Sequence, residues 1–111
     1  MSPPRLPAAL EVSALIRLVE ASGGFAMVLR KGEPDGGTLL IVLLDNQGLG
    51  KVFERLPQPD GSRKWTVAKC QVPENKQEFE AYLARRAAQD PDLWVIELTI
   101  ADGERLILNL S

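Results

Sequence analysis

Apolar residues return every three or four positions between Ala8 and Ala21. Val12, Leu15, Ile16 and Val19 fall at i, i+3, i+4 and i+7, which puts them on one side of a helix. Glu11, Arg17 and Glu20 lie mostly off that stripe, and Gly23-Gly24 can supply the left-handed residue that ends a helix. The period then changes to two. From Phe25 to Lys31, Phe25, Met27 and Leu29 alternate with Ala26, Val28 and Arg30, a strand pattern in which Met27 reads as core filling. Gly32 to Gly37 is a turn broken by Pro34 and Asp35-Gly36-Gly37. Thr38 to Leu44 is apolar at successive positions, so both of its faces are expected to be covered and the strand to be central.

Asp45-Asn46-Gln47-Gly48 turns the chain again. Lys51 to Leu56 alternates once more, and Pro59-Asp60-Gly61-Ser62 joins it to a fourth strand over Lys64 to Cys70. Asn75 with Glu78 three residues later has the form of a capping box. Behind it Phe79, Leu83 and Ala87 share a helical face with Tyr82 beside them, and Pro91 sets the end near Asp90. Asp92 to Ile100 returns to strand, with Trp94, Ile96 and Leu98 on one face and Trp94 set against the second helix. Asp102-Gly103 reads as a hairpin turn into a last strand, Arg105 to Leu110, with Leu106, Leu108 and Leu110 inward. The order is α-β-β-β-β-α-β-β. It predicts an α+β fold with a largely antiparallel sheet of about six strands and two helices on one face.

Composition adds bounds. At 111 residues the chain fits one domain, with residues 1–7 as an irregular, proline-rich lead-in and 8–111 as the domain. Net charge is −2, so wholesale wrapping of nucleic acid is not expected. A single cysteine, Cys70, rules out an internal disulfide and fits a reducing compartment. The N-terminus holds no apolar stretch of the signal-peptide kind and the longest apolar run, Leu39 to Leu44, is too short to span a bilayer. The expectation is a cytoplasmic protein without membrane attachment.

Three strings carry a resemblance: Val12-Ser13-Ala14-Leu15-Ile16-Arg17, then Gly24 to Gly32 (GFAMVLRKG), then Asp90-Pro91-Asp92-Leu93-Trp94-Val95-Ile96-Glu97. Together they resemble a family of short bacterial proteins defined as a domain of unknown function. The last string is the most specific. The resemblance implies a cytoplasmic bacterial protein and brings no activity, ligand or catalytic residue with it.

Several chemistries are disfavoured. The chain has no histidine, the commonest general base and transition-metal ligand. Cys70 has no histidine partner for thiol catalysis. Gly48-Leu49-Gly50 leads into strand-like Lys51-Val52-Phe53 rather than into the helix that a phosphate loop needs. No cofactor, metal site or catalytic residue is therefore expected, and the balance leans against an enzyme. The remaining carboxylates, Asp90, Asp92 and Glu97, sustain a weak hydrolase alternative. Aspartates beside a proline, however, more often bond to the backbone of a corner, and Arg85 and Arg86 are placed to pair with them.

Charge is uneven. Residues 51–70 carry five cations against two carboxylates, while residues 71–111 carry four cations against eight. In the hairpin, Lys51, Phe53 and Arg55 alternate onto one face of its first strand, and Trp65, Val67 and Lys69 onto one face of its second. Together Lys51, Phe53, Arg55, Trp65 and Lys69 form a candidate binding face. If its rings are displayed, it is a single-stranded nucleic-acid platform. If they are core, the cations are a solvated rim on an edge hairpin. The leading expectation is a small non-enzymatic protein-binding or regulatory module, with a protein partner or a homodimer through a strand edge. A nucleic-acid-associated protein is the alternative. The sequence leaves a small-molecule ligand open and names none.

Overall fold

In the computed structural model residues 6–110 are described. Of the expected lead-in over residues 1–7, residues 1–5 lie outside that range. The first helix, α1 (Ala8–Ala21), buries Val12, Leu15 and Val19 as its stripe requires. Pro7 offers no capping side chain. The amides of Ala8 and Ala9 donate instead to the carbonyls of Asp35 and Pro34, at 3.0 and 2.8 Å, so a distant loop satisfies the orphan donors of the helix start. Gly23 then takes φ +86° and turns the chain into the sheet.

The strands are β1 (Phe25–Arg30), β2 (Leu39–Leu44), β3 (Gly50–Pro57), β4 (Arg63–Cys70) and β5 (Trp94–Thr99). Helix α2 (Lys76–Gln89) follows β4 after a 3-10 turn at Pro73–Asn75, and α3 (Gly103–Leu108) follows β5. The strands lie in the order β1-β5-β2-β3-β4. β1–β5, β2–β3 and β3–β4 pair antiparallel, and β2–β5 pair parallel. The α+β class, the mostly antiparallel sheet and the central position of β2 agree with the sequence pattern.

The end of the chain does not. The segment read as a sixth strand, Arg105 to Leu110, is mostly helix α3, and the sheet has five strands. The reason lies in the topology. β5 already has β1 on one side and β2 on the other, so no free edge is left for a hairpin partner. Asp102, read as a hairpin turn residue, instead precedes α3 with φ 55°. Gly103 is buried against Leu43 and Ile100, and a Cβ there would lie 2.4 Å from Leu43 Cδ1. Along α3, Ile107 is fully buried whereas Leu108 is exposed, the reverse of the alternation expected for a strand.

The helices also divide between the two faces rather than sharing one. α1 and α3 cover Leu39, Ile41, Phe53, Trp65, Trp94, Ile96 and Leu98. α2 covers Leu40, Val42, Val52 and Val95, with Phe79 at the centre of that second cluster. Trp94 therefore faces away from α2, and its indole N–H donates to the Glu33 carbonyl at 2.8 Å. The doubly apolar sequence of β2 is the local counterpart of this two-sided cover.

The start of α2 is built differently from the capping box expected at Asn75 and Glu78. Asn75 Oδ1 accepts from the amide of Val72 at 2.8 Å, and its Nδ2 donates to the Cys70 carbonyl. Glu78 is taken up by Lys69. Pro73 opens a 3-10 turn before the helix, and that turn consumes the asparagine.

Candidate functional site

The hairpin of β3 and β4 brings the five candidate residues to the sheet but not to one surface. Arg55 pairs with Trp65 and Phe53 with Val67, so these four share the face beneath α1. A shift in register between Val52 and Phe53 then sets Lys69 opposite Val52. Such a bulge reverses the side-chain alternation beyond it, which carries Lys69 to the opposite face under α2. Alternation read from sequence alone had put Lys69 with Trp65.

Burial decides what the aromatic face is. Phe53 is 0% and Trp65 5% exposed, so both rings are core beneath α1 rather than a displayed platform. The cations around them are engaged. The Arg55 guanidinium lies 4.9 Å above the Trp65 ring and holds Glu11 of α1 at 2.7 Å. Lys51 reaches Glu104 at 3.3 Å and Lys69 reaches Glu78 at 2.6 Å. Each cation of the candidate face thus closes onto a carboxylate from another element. On the α2 side the Arg86 guanidinium makes two hydrogen bonds to Glu54, at 2.7 and 3.0 Å, and one to the Tyr82 hydroxyl at 3.1 Å. These contacts raise the Arg86 pKa further above its ordinary value, the Glu54 bonds first and against the opposing effect of burial. The Lys69 bond lowers the Glu78 pKa, and hydrogen bonds from Ser62 lower that of Asp60 in the hairpin turn.

The three carboxylates of the hydrolase alternative lie on different elements. Asp90 accepts from the amide of Asp92 at 3.1 Å, and its carbonyl accepts from Leu93 at 3.1 Å. The Asp92 carbonyl accepts from Glu33 at 3.1 Å. Both therefore belong to a helix-to-strand corner, while Glu97 lies within β5, paired with Met27 of β1. Arg86 is spent on Glu54 rather than on this corner. Among the described residues no group of three His, Cys, Asp or Glu side chains could hold a metal ion. Cys70, at the end of β4, is exposed.

Two features escaped the reading by periodicity. The first is β1. Phe25, Met27 and Leu29, expected inside, are 61%, 46% and 47% exposed. β1 is an edge strand, and Phe25 and Met27 pair with Thr99 and Glu97 on the α2 side of the sheet. α2 lies over β2 and β3, tied there by Phe79, by Arg86 to Glu54 and by Glu78 to Lys69, and leaves β1 open. The only sequence signal for this was the lack of charge in Phe25–Leu29, which burial would equally explain. The second is a pocket beside Trp65, bounded by α1 and Leu39.

Among the described residues no helix is long and apolar enough to cross a membrane. A family model described as a protein of unknown function, DUF1491, matches residues 6–108. The fold is shared with solved structures. A crystal structure of a DUF1491 family protein from Caulobacter crescentus is 33% identical, covering 86% of this chain and 88% of that one with a TM-score of 0.75. An NMR structure of a DUF1491 family protein from the same organism is 35% identical, covering 91% of each chain, TM-score 0.74. The solution structure of a protein from A. tumefaciens is 31% identical, covering 88% of each, TM-score 0.72. No curated protein matches this chain. By the extent of the family match and by these shared structures, the chain belongs to the DUF1491 family.

Proposed function

We propose that this protein is a cytoplasmic, non-enzymatic protein-binding module that assembles through the open edge of β1, with a second copy of the chain as its partner. The observation that carries this reading is the contrast between the two sheet edges. β4 bears Arg63, Lys64 and Lys69 among eight residues, the charged dressing that keeps an edge from pairing. β1 bears a single charge, Arg30, and the Arg30 guanidinium turns back to the Pro91 carbonyl at 3.2 Å. The rest of β1 is apolar, with Phe25 and Met27 standing open on the side that α2 leaves bare.

The strand is also self-complementary. An antiparallel pair with its twofold axis at Met27 sets Met27 against its own copy and Ala26 against the copy's Val28. Opposed residues then keep the same face in both chains, as a continuous sheet requires. Phe25 lies beside the copy's Leu29, the extra residue of the bulge between Val28 and Arg30. Arg30 meets the copy's Gly24, so no like charges are opposed. One short strand covers far less than the roughly 800 Å² per partner of a standard interface, and the dimer belongs to the weak, reversible class.

A charge swap tests this. Wild-type protein should show a concentration-dependent dimer in sedimentation velocity. Met27→Lys and Met27→Glu, each placing like charges at the axis, should sediment as monomers, and mixing the two variants should restore a dimer. Monomeric wild type at every concentration, or a dimer indifferent to Met27→Lys, would overturn the reading.

A further inference from the structure

At the usual strand spacing a five-stranded sheet is about 24 Å wide, and helices packed side by side sit roughly 10 Å apart. Each face therefore has room for two. On one face α1 and α3 share the cover. On the other α2 stands alone over β2 and β3, and the strip left above β5 and β1 is about 10 Å across, one helix wide. Its floor is apolar along β1, where Phe25 is 61% and Met27 46% exposed, with Thr99 and Glu97 of β5 opposite them. The six residues of β1 extend for about 20 Å, the length of a helix of about fourteen residues.

The wall of the strip is the free flank of α2. Glu78 and Arg86 reach Lys69 of β4 and Glu54 of β3, so at about 3.6 residues per turn Glu80, Ala84 and Ala87 lie on the flank turned toward β5. Ala84 is exposed and Ala87 half-buried. Such small side chains let a neighbouring helix come close, because interaxial distance follows the residues at the contact. Charge then selects the kind of helix. Glu11, Glu54, Glu78 and Glu104 each hold a cation from another element. Glu97, half-buried in the middle of the floor, and Glu80 on the wall are in no ion pair among the described residues. A carboxylate in an apolar surround without a cation of its own favours a partner that brings one.

We infer that this strip is a docking site for one amphipathic helix of a partner protein, its apolar stripe laid on Phe25 and Met27 and a lysine or arginine beside the stripe set against Glu97. The site uses a face of the sheet, whereas the assembly described above uses the edge of β1, so neither depends on the other.

Two synthetic helices of about fourteen residues, stapled on their outer side and sharing one leucine stripe, serve as probes. One carries lysine beside the stripe and the other glutamate in its place. In amide spectra of the 15N-labelled full chain, the lysine helix should saturably shift the signals of β1, β5 and the Glu80–Ala87 flank of α2, leaving those of α1 and α3 in place. The glutamate helix should bind about tenfold more weakly, for want of one charge-assisted contact. Glu97→Lys should reverse the preference. Met27→Thr, which keeps strand propensity while removing apolar floor, should weaken both helices, and the remaining amide signals report the fold of each variant. No saturable shift with either helix, shifts centred on α1, or a preference unchanged by Glu97→Lys would overturn the proposal. Shifts confined to β1, with none along α2, would mean that the peptide adds as a strand at the edge, and would overturn it too.

Discussion

Trp65 shows how one side chain separates two functional readings. On a nucleic-acid platform its ring would be displayed, and truncation would weaken binding while sparing stability. Here it is buried under α1 with Phe53. Trp65→Ala and Phe53→Ala should each lower unfolding free energy by about 3–5 kcal/mol in chemical denaturation; a change within experimental error would mean that the rings are not core. The period-two pattern of the hairpin was legible, and it correctly joined Phe53 to Arg55. The bulge was not, because one extra residue leaves no mark in local composition, and it moved Lys69 to the other face. That displacement has a titration signature. The Lys69–Glu78 bond lowers the Glu78 pKa, so its contribution to stability is present above the ordinary glutamate range and is lost as pH falls through the lowered value. NMR titration should find the Glu78 carboxyl below its ordinary pKa, and Lys69→Met should return it there. An unchanged Glu78 titration in that variant would remove Lys69 as the cause.

The last element was the largest departure of structure from sequence. Leu106, Leu108 and Leu110 fit a strand by alternation, and Leu106, Ile107 and Leu110 fit one side of a helix. Six residues are too few for periodicity to choose. What chose was the sheet, since both flanks of β5 are occupied. The two readings bury different residues, which makes them separable by mutation. Ile107→Ala should cost about 2–5 kcal/mol, as for a fully buried aliphatic side chain, and Leu108→Ala should stay within about 0.5 kcal/mol. The opposite ranking in a denaturation series would restore the strand. α1, by contrast, was readable in full, because fourteen residues carry an unbroken stripe from Val12 to Val19 and a glycine stop.

Across the whole molecule, the sheet has a covered middle and two unlike edges. β2 and β5 lie between paired neighbours with helices on both faces, while β1 and β4 each have one unpaired side. Amide hydrogen exchange should therefore be slowest in β2 and β5 and faster along β1 and β4. Protection of β1 that rises with protein concentration would report its pairing with a second chain. Uniform protection across all five strands at high dilution would contradict the edge assignment. The charges of β4 and their absence from β1 could be seen in the sequence, but strand order could not, so neither segment could be recognised as an edge.

The sequence alone determined the α+β class, the position and stripe of α1, the double apolar character of β2 and the β3–β4 hairpin, because each rests on short-range patterns of residues, and it determined the family through three short strings that are specific in themselves. Only the tertiary structure decided that β5 inserts between β1 and β2, that the helices take opposite faces, that residues 103–108 form a helix, and that Phe53 and Trp65 are covered while Phe25 and Met27 are not. Those outcomes depend on which distant segments pair and on how much of the sheet a fourteen-residue helix can shelter, and no local pattern of apolar residues records either.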